Sequence, residues 1–267
     1  MKRLFLSADM EGTTGIACWD ETEWGNPRSL YFREQMTREV SAACEGALAA
    51  GYEEIWVKDA HDSGRNLFPE RLPEQTLLLR EWIGDGLSMM GGINRSRFDA
   101  AAFTGYHSWA GGEGNPLSHT MHTTIHSIRI NDVPASEFLL NSYTAGYHGV
   151  PVCFLSGDKA LCDFARGWIG GITTVAVNEG WGSAVLSIHP ALAVRRIRAG
   201  MEQALNGDLA SCRVPMPAHF TVEIEFKSHA NALSRLVYPG VEKLSGTAIR
   251  FQSDDWMQVV SALNYIL

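Results

Sequence analysis

The sequence predicts an α/β fold: a mostly parallel central sheet flanked by helices, with a smaller C-terminal α+β subdomain. Three observations carry this expectation. Short apolar runs recur through the first two-thirds of the chain and close in polar or glycine-containing turns, as buried parallel strands do. Stretches of helical period lie between several of those runs. Further on, the pattern changes to a clean two-residue alternation, Thr221-Val222-Glu223-Ile224-Glu225-Phe226, the mark of a half-exposed strand.

Residues 4–8 form the first predicted strand and lead directly into Asp9. Residues 33–50 follow as a helix, because Met36, Val40, Ala43, Cys44 and Ala47 share one face and Gly51 supplies a C-terminal stop. Residues 54–57 read as a second strand and complete a βαβ unit. Another buried strand covers 98–104 and closes at Gly105-Tyr106-His107, and 127–130 is a strand entering the Asn131-Asp132 turn. Residues 135–147 are helical in pattern, with Glu137 in the first turn. Core strands at 150–155 and 172–177 bracket a helix at 159–168. Pro190 opens a long amphipathic helix over 190–205, and Asn206-Gly207 ends it.

Residues 206–218 contain Gly207, Pro215 and Pro217 and read as a linker. Beyond it come a strand at 220–226, a short helix at 230–236, a strand at 247–251 and a terminal helix from 254. The expected division is an α/β domain over 1–207 and a subdomain over 208–267 that leans on it or forms one compact unit with it.

A chain of 267 residues with 45% hydrophobic and 19% charged residues has an ordinary globular composition. The net charge of -8, with no cluster of Lys and Arg, argues against a nucleic-acid partner. A solvated acidic surface explains that charge, and so do carboxylates neutralised by bound dications. The five cysteines (Cys18, Cys44, Cys153, Cys162 and Cys212) are scattered and form no Cys-x-x-Cys pair. They indicate neither a disulfide framework nor a thiolate zinc site. No segment is continuously apolar for about 18 residues, so no membrane span is expected, and a reducing cytoplasm is the default location.

Five polar residues stand at predicted strand ends or a helix start: Asp9, Glu11, His61, His107 and Glu137. Ligands of parallel α/β sheets gather outside the carboxyl ends of strands, so Asp9, His61 and His107 can converge from distant positions. Three carboxylates and two imidazoles suit a divalent metal, and a bridging carboxylate lets them hold two. Each residue also has a plain structural reading. Asp9 and Glu11 can cap a loop, with Gly12 allowing the chain to turn. Asp59 can receive the ring N–H of a metal-bound His61 or serve a turn. His107 can be a buried structural histidine, and Glu137 gains from the helix dipole alone. His119, in Ser118-His119-Thr120-Met121-His122, can be a further ligand, a general acid/base or an oxyanion stabiliser. Asn141, Ser142 and Tyr143 can line the same cavity or simply pack.

Together these segments resemble the zinc-dependent D-aminopeptidase family of bacterial peptidases. The stretches that carry the resemblance are 7–12, 59–61, 105–107, 118–121 and 130–137, with Asn141, Ala145-Gly146-Tyr147 and Val150-Pro151-Val152; they run in family order to about residue 160. The resemblance implies two zinc ions per subunit, with Asp9 as the bridge, Glu11 and His61 completing one site and His107 and Glu137 the other. It makes His119 the catalytic histidine and implies a ring-shaped homodecamer. The expected activity is hydrolysis of short, D-amino-acid-containing peptides from the free amino end. Metals about 3.5–4 Å apart would activate a shared water and polarise the scissile carbonyl. Glu113 is a candidate partner for the substrate amine. A metal-dependent phosphatase is the rival enzyme, though two histidines favour zinc over magnesium. A catalytically silent oligomeric binding protein is the rival from another class. The chain departs from the family pattern at Lys58-Asp59-Ala60 and in the Gly-rich loop over 108–117, which is expected to reshape the substrate pocket.

Overall fold

The computed structural model describes residues 1–267. Its first half contains β1 (Arg3–Ala8), α1 (Ser29–Ala49), β2 (Glu54–Asp59), β3 (Thr76–Leu79), β4 (Ala100–Tyr106), β5 (Ile125–Ile130) and β6 (Val133–Pro134). Next come α2 (Glu137–Tyr147), β7 (Val152–Asp158), α3 (Lys159–Trp168), β8 (Thr173–Trp181), β9 (Ala184–Ser187) and α4 (Pro190–Asn206). The chain ends with β10 (Phe220–Phe226), α5 (His229–Arg235), β11 (Glu242–Lys243), β12 (Ala248–Ser253) and α6 (Trp256–Ile266).

Seven strands form the main sheet in the order β3-β2-β1-β4-β7-β8-β9. All neighbours are parallel except β9, which turns back antiparallel on β8. Every residue of β4 and β7 is buried, as expected for central strands covered on both faces. The chain proceeds from β1 outward to β2 and β3, then returns to place β4 on the other side of β1. The carboxyl ends of β1 and β4 therefore flank a topological switch point, where such sheets bind ligands. Asp9 follows β1 and His107 follows β4.

The α/β class expected from the sequence is present, with four further strands: β3 and β9 in the main sheet and the two-residue β6 and β11 in a second sheet. Edge strands β3 and β9 escaped the sequence reading because both are short and only partly buried, so their apolar signal is weak. Strand β5 starts at Ile125 and joins a second, antiparallel sheet of order β11-β12-β10-β5-β6. The smaller sheet thus draws strands from both sides of residue 207, and the sheet division and the chain division differ.

One hydrophobic cluster of 70 buried residues runs through both sheets. Tyr143 of α2, Phe220 of β10 and Trp256 of α6 pack with ring centroids 4.9–5.4 Å apart. Such aromatic pairs contribute about 0.5–1.5 kcal/mol each beyond their burial. The indole N–H of Trp256 donates to Thr144 Oγ1 at 3.0 Å, so the ring is buried without an orphaned donor. This aromatic contact holds α6 against α2, the helix that begins with Glu137.

Candidate metal centre

Local chemistry places each polar side chain. Asp9 ends β1, and its N–H still donates to Thr104 O at 2.9 Å, which ties the start of the loop to β4. Gly12 N donates to Gly105 O at 2.8 Å. A Cβ on Gly12 would stand 1.9 Å from Tyr106 O, and one on Gly105 would stand 2.1 Å from Asp9 O. The need for glycine at Gly12 is close backbone approach, not the sharp turn the sequence suggested. Asp9 and Glu11 reach one place from a turn pressed against β4 rather than from an extended segment. Two buried asparagines clamp that turn: Asn115 Nδ2 donates to Glu11 O at 3.1 Å, and Asn178 Nδ2 donates to Thr13 O at 2.7 Å. At α2, Ser136 Oγ accepts from Leu139 N at 3.2 Å, and this cap puts Glu137 at the first helical position.

The five residues singled out in the sequence converge. His61 Nδ1 lies 3.4 Å from Asp9 Oδ1 and 3.1 Å from Glu11 Oε2. His107 Nε2 lies 3.5 Å from Asp9 Oδ2 and 3.3 Å from Glu137 Oε2. Asp9 therefore faces one imidazole with each of its two oxygens. All five side chains are buried, yet Asp9 Oδ2, Glu11 Oε2 and His107 Nε2 have no hydrogen-bond partner. Orphaned polar atoms at such depth are costly unless something else satisfies them. A tetrahedron around zinc, with ligands at about 2.0–2.1 Å, has edges of about 3.3–3.4 Å. The observed spacings fit that edge. Asp9, Glu11 and His61 make one group able to hold a cation, and Asp9, His107 and Glu137 make a second.

The histidine tautomers agree with this reading. His61 Nε2 lies 3.0 Å from Thr22 O, and His107 Nδ1 lies 2.9 Å from Ser108 O. A carbonyl only accepts, so each of these nitrogens carries the proton. In the neutral ring the opposite nitrogen then aims its lone pair at the carboxylates, an arrangement that calls for a cation between them. The sequence had offered Asp59 as partner of the His61 ring. The structure instead gives that role to Thr22 O, while Asp59 accepts from Asn66 N, Asn66 Nδ2 and Leu67 N at 2.6, 3.0 and 2.8 Å.

Electrostatics point the same way. Burial disfavours a charged His61, yet the Glu11 and Asp9 carboxylates outweigh it and hold its pKa well above the usual value. His107 is likewise held up, against burial, chiefly by Glu137. Burial and the neighbouring Glu11 raise Asp9 well above the carboxylate range. Burial also opposes ionisation of Glu137, but His107 brings it down to about 2. Three carboxylates packed together demand positive charge, which imidazolium or a dication supplies.

His119 stands beside these groups. Its Nε2 lies 3.6 Å from Glu137 Oε1 and 3.9 Å from Glu11 Oε1, longer than the spacings in the two cation groups. The ring stacks on His107 with centroids 4.3 Å apart, meets Trp19 edge-on at 5.3 Å, and its Nδ1 pairs with Leu117 O at 2.9 Å. It also groups with Glu11 and His107 as a third potential ligand set.

A cavity of about 560 Å³ opens over the centre. Its walls come from Trp19, Glu23, Asp62, Trp82, Ile83 and Met121, together with neighbouring residues. The Gly-rich loop over 108–117 does not line it, and Glu113 is exposed elsewhere. That loop is anchored instead: Ser108 N and Oγ donate to Asp158 at 2.6 and 2.7 Å, and Gly180 N donates to Gly114 O at 3.0 Å. Asn141 spends its amide on Tyr106 Oη at 2.9 Å, while Ser142 and Tyr143 are packed in the core. Sequence reasoning missed Trp19, Trp82 and the clamps Asn115 and Asn178. Asp158 carried a usable signal, since it too ends a strand.

A family model described as D-aminopeptidase matches residues 1–265. A D-aminopeptidase of Bacillus subtilis (strain 168) is 34% identical over 269 residues, covering 98% of this chain and 95% of that protein. Among solved structures, the zinc-dependent D-aminopeptidase DppA from Bacillus subtilis, described as a self-compartmentalizing protease, superposes with a TM-score of 0.90. That match has 30% identity and covers 99% of this chain and 96% of the other.

Proposed function

This chain belongs to the D-aminopeptidase family of peptidases, and on that premise we propose that it is a binuclear zinc aminopeptidase cleaving short D-amino-acid-containing peptides at the free amino end. The observation that carries the reading is Asp9, whose two oxygens face two imidazoles whose outer nitrogens are both pinned to backbone carbonyls. Asp9, Glu11 and His61 would hold one zinc ion, and Asp9, His107 and Glu137 the other. The zinc dependence of the structural relative and the mixed carboxylate–imidazole donor set support zinc. When bound, zinc supplies Lewis-acid polarisation of a carbonyl and makes water acidic enough to act at neutral pH.

The chain's own residues supply proton transfer and orientation. Leu117 O fixes the proton of His119 on Nδ1, which leaves Nε2 free to accept. Nε2 takes a proton from the attacking water as its oxygen bonds to the scissile carbonyl carbon. It returns that proton to the departing amine nitrogen when the C–N bond breaks. Trp19 and His107 hold the ring in place between them. Glu23 and Asp62, acidic residues of the cavity wall, meet the substrate's ammonium end.

The self-compartmentalizing relative and the exposed apolar side chains Trp24, Leu30 and Tyr31 support a homo-oligomer, read here as a ring of ten subunits. Five free cysteines support a reducing cytoplasm. No helix is long and apolar enough to cross a membrane.

The test is hydrolysis of D-alanyl dipeptides, L-dipeptides and a phosphate ester by zinc-loaded protein, with chelator controls, beside zinc analysis and sedimentation velocity. Cleavage of D-peptides at two zinc ions per subunit is expected. No cleavage of any peptide with zinc in place would sink the peptidase reading. His119→Ala should lower kcat about 10²–10⁴-fold while keeping full zinc content. Loss of zinc in that variant would make His119 a ligand instead.

A further inference from the structure

Beside the metal centre lies an apolar recess of about 160 Å³, walled by Leu87, Met121, Leu140, Trp256, Val260 and Leu263. Gly86, Ser88, Met121, His122 and Asn264 line both this recess and the cavity over the centre, so the two spaces adjoin. We propose that the recess is a side-chain subsite, and that the enzyme prefers peptides with a large aliphatic or aromatic residue flanking the scissile bond; this rests on the peptidase reading above.

The two polar side chains that α2 brings to the recess are engaged within the protein. Asn141 Nδ2 donates to Tyr106 Oη at 2.9 Å, and Thr144 Oγ1 accepts from Trp256 Nε1 at 3.0 Å while donating to Leu140 O at 3.1 Å. The walls away from the centre are apolar, and Ser88, His122 and Asn264 stand on the side shared with the cavity over the centre, so the recess suits a hydrocarbon side chain better than a charged one. Met121 links recess and centre. Its N–H donates to Glu137 Oε1 at 2.7 Å, and its φ of 64° is a left-handed conformation that a non-glycine residue rarely adopts. Such strain persists only where surrounding contacts over-determine it. Here it sets a flexible thioether at the junction of the two spaces, where it can adapt to different apolar groups. A methyl group from alanine would leave most of the recess empty and forfeit contacts with its walls, whereas an isobutyl or benzyl group would fill it. Helix α6 supplies Trp256, Val260 and Leu263 to the recess, so the C-terminal helix becomes a specificity element rather than a mere buttress.

The experiment compares kcat/KM of the zinc-loaded, full-length protein for D-Ala-D-Ala, D-Leu-D-Ala and D-Ala-D-Leu, and measures calorimetric binding of free D-leucine and D-alanine. One leucyl peptide should exceed D-Ala-D-Ala by about tenfold or more, and D-leucine should bind tighter than D-alanine by a similar factor. Val260→Phe fills the recess from its wall, and Asn264→Trp does so from an exposed position where folding is not at stake. Both should bring those ratios toward one. The proposal is overturned if neither leucyl peptide is favoured, or if the ratios ignore both variants. If no peptide is cleaved, the peptidase reading falls and binding decides: tighter D-leucine that Asn264→Trp weakens keeps the subsite, and equal binding removes it.

Discussion

Asp9, Asp59 and Asp158 stand at the ends of β1, β2 and β7 in one sheet, and all three are buried. Asp59 receives three N–H donors from Asn66 and Leu67, and Asp158 receives Ser108 N, Ser108 Oγ and Leu161 N. Asp9 instead keeps an oxygen with no donor and has Glu11 as its neighbour. The same residue type at the same kind of position thus serves two ends. A buried carboxylate whose oxygens are filled by protein donors is an anchor, while one left unfilled among other carboxylates is open to a cation. Satisfaction rather than burial separates the two.

The largest expected effect breaks the contrast at Asp9. Asp9→Asn removes the shared charge, so zinc content should drop below two per subunit and D-peptide hydrolysis should vanish. Because burial and Glu11 already disfavour ionised Asp9, the chelator-stripped variant should melt no lower than the stripped wild type. A clear loss of Tm there would class Asp9 with the anchors.

Asp59→Ala should behave the opposite way. It strands three buried donors, which costs about 3 kcal/mol or more and lowers Tm by about 6–12 °C in a thermal melt. The folded fraction should still take up zinc, with affinity weakened about 10–100-fold because the loop carrying His61 is loosened. Intact stability would refute the anchor role.

The smallest effect sharpens the contrast by pH. In the stripped protein His61 and His107 hold protons well above the ordinary imidazole value, and Asp9 well above the ordinary carboxylate value. A raised folded pKa stabilises fully below the unfolded value and is lost as pH climbs through the folded one. Stability of the stripped protein should therefore fall steadily as pH climbs above the ordinary imidazole value of about 6.5. Zinc displaces those protons, so zinc affinity should rise over the same range. Parallel melts with and without zinc read both; a stripped protein that gains stability with pH contradicts the cluster electrostatics.

The central strands, α1 and the long α4 were legible because burial on both faces of a parallel sheet leaves unbroken apolar runs, and helices packed on it show one apolar face. The strand-end rule located Asp9, His61 and His107 for the same reason, since it follows from topology rather than from the side chain. It could not separate Asp9 from Asp59. Hydrogen-bond satisfaction depends on Asn66 and Leu67, which arrive from a loop with no periodic signal. Edge strands β3 and β9 and the walls Trp19 and Trp82 were illegible on similar grounds, being short, half-exposed or irregular.

By itself, then, the sequence determined the α/β class, the convergence of five metal-suited side chains with His119 nearby, and membership in a family. All of these rest on local pattern and order along the chain. Only the tertiary structure decided which oxygens of those side chains stay unpaired and which nitrogen of each imidazole faces inward. It also decided that the pocket is walled by residues such as Trp19, Glu23, Asp62, Trp82 and Ile83 instead of the Gly-rich loop. Those are properties of atoms brought together from far apart, and no spacing along a chain records which donor will reach which acceptor.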